Sequence, residues 1–432
     1  MKYSFENCLI SNGMKLSAFK TEKFKTSIVK LDIAAPSTAD AEDCALFGLL
    51  VNVLKCGTER YPERSDIIKR LGDLYDASCS IGGYATGDNR IFEISAEVLS
   101  DRFSGGESIL DGVIELMSQL LYHPHLDENG LFLSDTVERE KRVMSDKIKS
   151  EKNNSREYAF KRCRETMGAG EPYGASINVP VLEKVTPERL TSYYRQFLAK
   201  ALPSFSYIGD MDIDGVAAVI ERHFGTESIG VPSPLLPLKC NFSNKEKILE
   251  EELDIKQGIL VIGFKTGVLL GDRLSDGMRV FNNVYGGTCT SRLFTNVRER
   301  MGLCYYCDSD FVSTKGIMFV SCGIDVSDKD LVLNEIIHQL DVLRDQTVSE
   351  AELEAAKDMA IKDLREMQDY PGAIASFRYS HEMYGFSSDI DERIDNIRAV
   401  NPSDIREIAG GIRLDTVFFL KGTAKEEDYD DE

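Results

Sequence analysis

Apolar and polar positions in the first hundred residues predict two strands with a buried helix between them. The run TSIVKLDIAA (26–35) is typical of a strand, and DNRIFEISAEVL (88–99) alternates apolar and polar side chains as a half-buried strand does. Between them, CALFGLLVNVLKCG (44–57) predicts a helix that Gly57 closes as a C-terminal cap.

Three more helices are predicted by spacing of apolar residues at three and four positions. The first is RSDIIKRLGDLYDA (64–77), for which Ser65 is a plausible N-cap. ESILDGVIELMSQLL (107–121) follows the second strand, and the long charged stretch DTVEREKRVMSDKIKSEKNN (135–154) comes next. The first half of the chain is therefore rich in helices around a few strands.

A stretch with three prolines and little periodicity, TESIGVPSPLLPLKCNFSNKEK (226–247), is the best candidate for a linker. After it the order of predicted elements repeats. The second series is a strand at 258–267, a helix at 273–287, a second helix at 291–302 and a strand at 316–328.

The repeated order indicates a duplication. Residues 71–101 align with residues 301–328, and both stretches run from the end of a helix into paired strands. The sequence therefore predicts an α+β fold of two homologous domains, each a mostly antiparallel sheet covered by helices. The expected boundaries are an N-terminal domain at 1–225, the linker at 226–247 and a C-terminal domain at 248–432.

Composition narrows the classes of function. The net charge of −21 comes without a basic stripe, which argues against binding to nucleic acid and favours cationic or neutral partners. No apolar run reaches the length of a membrane span, and the first residues do not resemble a secretory signal. Ten scattered cysteines are typical of reduced thiols, so a cytoplasmic protein is expected. The acidic end KEEDYDDE (425–432) predicts a disordered tail.

One pair of cysteines is close in sequence, Cys304 and Cys307 in the run CYYC. The run is strand-like, and residues three apart in a regular strand point to opposite faces of the sheet. We therefore expect neither a metal site nor a redox role for this pair.

The predicted helix at 44–57 contains a polar residue, Asn52, at a position that could belong to a zinc-binding motif. Gly48 and Asn52 are four residues apart and so share one face of the helix. Two histidines at this spacing, with a glutamate beside them, bind zinc and supply a general base; the inverted form is His-x-x-Glu-His. The frame GLLVN (48–52) has this length, but glycine, valine and asparagine occupy the three reactive positions.

The stretch GLLVNVLKCGTERYP (48–62) resembles the inverted-zincin helix of the M16 metallopeptidases, the family of pitrilysin, insulinase and the mitochondrial processing peptidase. In that family His-x-x-Glu-His is followed closely by Gly-Thr and then by proline. The duplicated halves, the linker and YAFKRCRETMGAGEPYG (158–174) extend the resemblance over the whole chain. It implies the M16/LuxS-metallopeptidase-like fold and is nearest to zinc-less subunits paired with an active homologue in Gram-positive bacteria.

The resemblance also implies that the zinc site is lost. The family's third ligand is a glutamate on the long helix, where the alignment places Lys147, with Glu138 and Glu140 nearby. The degenerate positions are therefore Gly48, Val51, Asn52 and Lys147, and no metal is expected in this chain. None of the five histidines has a second one at zinc-helix spacing on a helix.

A second candidate site lies in RLFTNVRERMGLCYYC. Arg298 and Tyr305 are seven residues apart, on either side of Gly302, which is expected to end a helix. From the residues alone they can be an arginine at a helix C-terminus and an ordinary strand tyrosine. The resemblance implies instead a catalytic role in completing a partner's active site, because active M16 enzymes pair the zinc helix with an arginine and a tyrosine at this spacing. Tyr306 is the alternative if the register differs by one.

These expectations define the function that the resemblance implies. The chain is expected to be inactive alone and to form a heterodimer with an M16 homologue that contains His-x-x-Glu-His and carries the zinc. It would supply half of a peptide-binding chamber and the Arg298/Tyr305 pair, with no cofactor of its own. The alternative is a proteolytically inactive scaffold or peptide-binding module of the same fold. An independent hydrolase is not indicated, since no Gly-x-Ser-x-Gly stretch occurs.

Overall fold

The computed structural model of the protein describes residues 5–106, 108–241 and 245–424. The predicted acidic tail KEEDYDDE (425–432) lies outside the described residues. The strands are β1 (Glu6–Leu9), β2 (Lys15–Lys20), β3 (Thr26–Pro36), β4 (Ser78–Thr86), β5 (Asn89–Leu99), β6 (Ser204–Gly209), β7 (Lys247–Leu253), β8 (Gly258–Lys265), β9 (Cys304–Val312), β10 (Ile317–Ile324) and β11 (Arg413–Gly422).

Helices take up most of the remaining described chain. They are α1 (Ala41–Val53), α2 (Arg64–Asp73), α3 (Ile109–Tyr122), α4 (Ser134–Ser150), α5 (Ser155–Met167), α6 (Val179–Leu182), α7 (Pro187–Leu198), α8 (Ile213–Phe224), α9 (Ser275–Asn282), α10 (Lys329–Asp345), α11 (Glu350–Met367), α12 (Pro371–Glu382), α13 (Ile390–Ala399) and α14 (Pro402–Gly411). Two π-helical segments, Asn283–Gly287 and Leu293–Arg300, follow α9. Across the described residues, no helix combines the length and apolar character needed to cross a membrane.

The chain forms two compact units with the same sheet topology. In unit 1 the strand order is β1-β2-β6-β3-β5-β4, and in unit 2 it is β7-β11-β8-β10-β9. The β2/β6 and β7/β11 pairs are parallel, and the other neighbouring strands are antiparallel. The order of unit 2 thus repeats that of unit 1 from β2 to β4, which confirms the predicted α+β fold of two homologous, mostly antiparallel sheets.

Each unit contains one helix from the other half of the sequence. Unit 1 consists of the described parts of Met1–Lys149, Ala175–Pro237 and Met367–Ser388; unit 2 consists of those of Ser150–Gly174, Leu238–Glu366 and Asp389–Glu432. Helix α12 thus belongs to unit 1 and α5 to unit 2. The boundaries 1–225, 226–247 and 248–432 stay a prediction about the duplicated halves of the sequence.

These two helices cover equivalent sheet faces with apolar side chains. In unit 1, Ile374 and Ala375 of α12 form a buried cluster with Phe19 and Ile208. In unit 2, the residues of α5 that share a buried cluster with β8, β10 and β11 are Ala159, Cys163 and Met167. Burial of such side chains is the main contribution that holds each helix on its sheet.

Two predicted helix ends are wrong. Helix α1 ends at Val53 rather than at Gly57, and α2 starts after Glu63, which forms a capping box with Asp66, so that Ser65 lies inside the helix. Gly57 is needed for space: a Cβ there would lie 2.1 Å from the carbonyl oxygen of Pro62. Contacts made by the chain after α1 therefore set both ends, and these contacts are not visible in a helical pattern.

A buried carboxylate lies beneath α12 in unit 1. Asp32 on β3 is 1% exposed, and neither of its carboxylate oxygens has a hydrogen-bond donor among the described residues. Its neighbour Lys30 forms an ion pair with Glu93 on β5 and donates a hydrogen bond to Ser376 on α12 at 2.6 Å. Burial raises the pKa of Asp32 to about 7; the charge of Lys30 opposes the rise and Glu93 adds to it.

Candidate functional site

Apolar side chains fill the space beside the degenerate zinc positions on α1. A Cβ added at Gly48 would lie 2.7 Å from Cδ1 of Ile177 and 3.2 Å from Cε of Met144. Asn52 uses its amide to donate a hydrogen bond to the Gly48 carbonyl oxygen at 3.0 Å. Val51 is buried, and one of its methyl groups would lie 3.2 Å from a Cβ at Gly83. The three positions therefore serve packing and the helix itself.

The third-ligand position is no better suited to zinc. Lys147 is exposed on α4, and Glu138 is paired with Lys141. Glu140 is paired with Arg139 and accepts a hydrogen bond from the Cys56 thiol at 3.4 Å. Cationic nitrogen and apolar carbon do not bind Zn²⁺, which requires thiolate, imidazole or carboxylate ligands. Throughout the described ranges, no group of three or more histidine, cysteine, aspartate or glutamate side chains converges to hold a metal ion.

The charges around this site are unfavourable for a cation. Burial lowers the pKa of Lys55, just after α1, and the positive charges of Arg64 and Lys147 lower it further while Glu140 opposes them. Lys55, Arg64 and Lys147 thus place positive charge where the zinc helix of an active enzyme would bind Zn²⁺. The residues present do not fit a zinc ion, so no catalytic step can be derived through one in this chain.

Replacement of Gly57 by alanine is expected to destabilise unit 1 by about 1–3 kcal/mol, the usual cost of forcing a methyl group into packed structure. The φ angle of Gly57 is not positive, so the cost comes from the contact with the Pro62 carbonyl oxygen. Gly48→Ala is the matched control: its methyl group meets only the flexible ends of Ile177 and Met144, and alanine favours a helix over glycine by about 1 kcal/mol. Urea unfolding of both variants measures the difference. Equal midpoints would contradict this account of Gly57.

Arg298 and Tyr305 lie on the solvent-exposed surface of unit 2. Arg298 is in the last turn of the π-helical segment Leu293–Arg300, with its guanidinium 4.6 Å from the ring centroid of Phe294. The chain then turns at Gly302, whose φ of 65° favours glycine, and enters β9. Tyr305 is 58% exposed. Neither the guanidinium nor the Tyr305 hydroxyl has a hydrogen-bond partner among the described residues. Both are therefore free to bind a ligand.

A β-bulge sets the direction of Tyr305. Cys304 pairs with Ile324 of β10 and Tyr306 pairs with Gly323, so Tyr305 is the extra residue in the ladder. Bulges redirect side chains and occur often next to functional sites. Because β9 is at the edge of its sheet, the backbone at Tyr305 has a neighbouring strand on one side only.

Tyr306, the alternative to Tyr305, has a different environment. Its ring covers Gly323, where a Cβ would lie 2.6 Å from the ring, and its hydroxyl is 3.4 Å from Oγ of Ser321. The guanidinium of Arg156 on α5 lies 4.3 Å from the ring centroid and forms two hydrogen bonds with Asp308, at 2.7 and 2.8 Å. Tyr306 is thus part of a packed cluster that anchors β9 to α5.

This cluster could not be predicted from the sequence. Arg156 is about 150 residues away from Tyr306 and Asp308 along the chain, and only the packing of α5 on the second sheet brings them together. The alternation of Tyr306 and Asp308 on one strand face is visible in the sequence, but it does not identify the arginine.

Comparison with known proteins identifies similar chains. A family model described as the peptidase M16 inactive domain matches residues 184–360. The "Probable inactive metalloprotease YmfF" of Bacillus subtilis (strain 168) is 28% identical over 418 residues, which cover 95% of this chain and 96% of that protein. The "Uncharacterized zinc protease YmxG" of the same strain is 25% identical over 309 residues, or 68% of this chain and 71% of that protein.

A crystal structure of a conserved protein from Enterococcus faecalis V583 has a similar fold. It superposes with a TM-score of 0.87 at 24% sequence identity, and the match covers 98% of this chain and 100% of that chain. This likeness concerns the fold alone.

Proposed function

Since this chain is an inactive M16-like metalloprotease homologue, we propose that it is the zinc-less subunit of a two-chain metalloendopeptidase in the cytoplasm. Its partner would be an M16 homologue with an intact His-x-x-Glu-His helix. This chain would contribute Arg298, Tyr305 and half of a chamber that holds peptides.

The observation that carries the proposal is the state of Arg298 and Tyr305. Both side chains reach solvent, and neither is used by a described residue of the chain in a hydrogen bond or an ion pair. Both groups can therefore donate hydrogen bonds to a bound molecule without first breaking a hydrogen bond within the described chain. Tyr305 lies at a bulge, seven residues after Arg298, whose guanidinium has no partner among the described residues. This arrangement suits the binding of a group from outside the chain.

The chemistry of the pair suits peptide hydrolysis at a metal held elsewhere. Attack of metal-activated water on a peptide carbonyl places negative charge on the carbonyl oxygen. A phenol hydroxyl and a guanidinium can donate hydrogen bonds to that oxygen or to the adjacent substrate backbone. Because the residues of α1 and α4 in this chain do not fit zinc, the metal must belong to the other chain.

The relatives support such a division of roles. One Bacillus subtilis strain has a chain named as a probable inactive metalloprotease and another named as a zinc protease, and both are similar to this protein. Peptide binding by addition of a strand to a sheet edge would suit this fold, since β9 and β7 are the two edges of the sheet in unit 2. The net charge of −21 favours basic or neutral peptides.

The alternative is a scaffold or peptide-binding module without any part in proteolysis. A reconstitution distinguishes the two functions. The chain is purified alone, its zinc-helix homologue is purified alone, and each is assayed with a pool of quenched fluorescent peptides, separately and mixed. The proposal expects cleavage by the mixture that exceeds the sum of the separate activities. A zinc-bearing partner that is fully active without this chain, or stoichiometric zinc and cleavage by this chain alone, would overturn it.

A further inference from the structure

Three cysteine side chains of unit 2 lie on one face of the β9/β10 hairpin. Cys304 pairs with Ile324, and Cys307 pairs with Cys322, which is two residues from Ile324 on the same strand. Residues two apart on a strand share a face, so Cys304 and Cys307 lie on the same side. The expectation that they point to opposite faces is therefore wrong, because the bulge at Tyr305 adds one residue between them.

Cys307 and Cys322 are close enough to each other for a cross-strand disulfide. They are directly opposite in the register of β9 and β10, and their Sγ atoms are 2.9 Å apart. Directly opposed residues of antiparallel strands have Cα atoms about 4.5–5.5 Å apart, within the range that disulfides span. Both thiols are buried and reduced in this structure. These cysteines do not belong to any metal-binding group found among the described residues.

The third thiol connects this pair to solvent. The bulge places Cys304 on the same face of β9 as Cys307, and the Cys307 side chain together with burial raises the pKa of the Cys304 thiol. Cys304 is 9% exposed, whereas Cys307 is 3% and Cys322 is 0% exposed, so exposure falls from one thiol to the next. Cys304 is also the first residue of an edge strand, where local opening of the ladder requires the least disruption.

We propose that Cys307 and Cys322 form a reversible disulfide, and that a small disulfide such as glutathione disulfide reacts first with the Cys304 thiol. With glutathione disulfide, the Cys304 thiolate attacks one sulfur and releases the first glutathione. Cys307 then displaces the second glutathione from Cys304, and Cys322 attacks the Cys307 sulfur and releases the Cys304 thiol. Overall, Cys307 and Cys322 lose two electrons and two protons, and glutathione disulfide becomes two molecules of glutathione.

The disulfide would fix the strands beside the bulge. Cys307 and Cys322 form the ladder pair that follows the Tyr306/Gly323 pair, next to the extra residue Tyr305. A covalent bond there prevents the first residues of β9 from separating from β10, and so limits the positions that Tyr305 can take. This inference does not depend on the proposed function, since the reaction can be measured on the chain alone.

The test uses the full-length wild-type protein under native conditions. It is incubated with glutathione disulfide, free thiols are blocked at each time point with N-ethylmaleimide in denaturant at mildly acidic pH, and the protein is digested with trypsin. Cleavage after Lys315 separates the peptide with Cys304 and Cys307 from the one with Cys322. We expect a linked pair of these peptides that lacks the mass of two hydrogen atoms, with fragmentation assigning the link to Cys307 and with reversal by dithiothreitol.

Two serine variants test the route. Cys304→Ser is expected to slow formation of the link by about tenfold or more, since exchange depends on access to the attacked thiol. Cys289→Ser, which removes an exposed cysteine of the same unit, is expected to leave the rate unchanged. Recovery of Cys307 and Cys322 as alkylated thiols while Cys289 carries glutathione, or a link between Cys304 and Cys307 as the final product, would overturn the proposal. Formation at the wild-type rate in Cys304→Ser would overturn the role of Cys304.

Discussion

Tyr305→Phe lowers kcat of the reconstituted two-chain peptidase by about a hundredfold to a thousandfold, the usual cost of removing one hydrogen-bond donor to a reacting oxygen. The substitution removes a single hydroxyl group that is exposed and has no partner among the described residues, so the fold of unit 2 should not change. Arg298→Ala is expected to give a loss of similar size and also to raise KM, because a guanidinium can bind the substrate backbone. Initial rates on a quenched peptide, over a range of concentrations, measure both parameters.

Matched variants separate this effect from a change in surface charge or in assembly. Arg300→Ala removes an exposed arginine two residues from Arg298, one that already donates a hydrogen bond to Asn296. Tyr370→Phe removes the hydroxyl of another exposed tyrosine, in unit 1. Both are expected to retain activity, and size-exclusion chromatography checks that every variant still binds the partner. Full activity of the Arg298→Ala, Tyr305→Phe double variant would show that the pair has no part in catalysis.

Asp32→Asn is expected to make the protein more stable at pH 8, by up to about 4 kcal/mol, and to have little effect at pH 4. The folded protein holds a proton on Asp32 up to pH about 7, whereas the unfolded chain releases it near the ordinary value of 3.8. Between these values the folded state binds more protons, so stability falls as pH rises and stays low above about pH 7. Asparagine has nearly the same shape and no charge to bury.

The groups that face Asp32 support this direction. Lys30 is already paired with Glu93, and Tyr84 and Tyr379 are neutral over this pH range because burial raises the pKa of each. Urea unfolding at several pH values measures the effect in wild type and in Asp32→Asn. Asp146→Asn, an exposed aspartate on α4, is the control and should leave the pH dependence unchanged. An Asp32→Asn variant that loses stability at pH 8 would show that the carboxylate is stabilising.

Much of the fold could be predicted because periodicity and turn residues are local signals. The bounds of the strands β3, β5, β8 and β10 were predicted within a few residues. The duplication was predicted from the repeated order of the elements. The helix ends at Gly57 and Ser65 were not, because a backbone contact to Pro62 and a capping box from Glu63 decide them. The second helix of the C-terminal half was predicted as regular, but Met301 donates to the Asn296 carbonyl five residues back, as in a π-helix.

For the candidate site, the sequence could show which groups are absent and could not show what replaces them. Gly48, Val51, Asn52 and Lys147 indicate lost ligands by residue type alone, whereas Ile177 and Met144 become part of the site only through packing. The roles of Arg298 and Tyr305 stay a prediction. Tyr305 is the extra residue of a bulge in β9 that the run CYYC does not predict, and the same bulge places Cys304 on the same face as Cys307.

The helix that closes the sheet of unit 1 is made late during synthesis of the protein. All strands of that sheet have been synthesised once Gly209 is added, but Ile374 and Ala375, which cover Phe19 and Ile208, follow only after most of unit 2. At ordinary rates of translation this delay is roughly ten to thirty seconds. For that time the apolar side chains of Phe19 and Ile208 lack their cover, which favours binding by chaperones and makes the chain sensitive to premature termination.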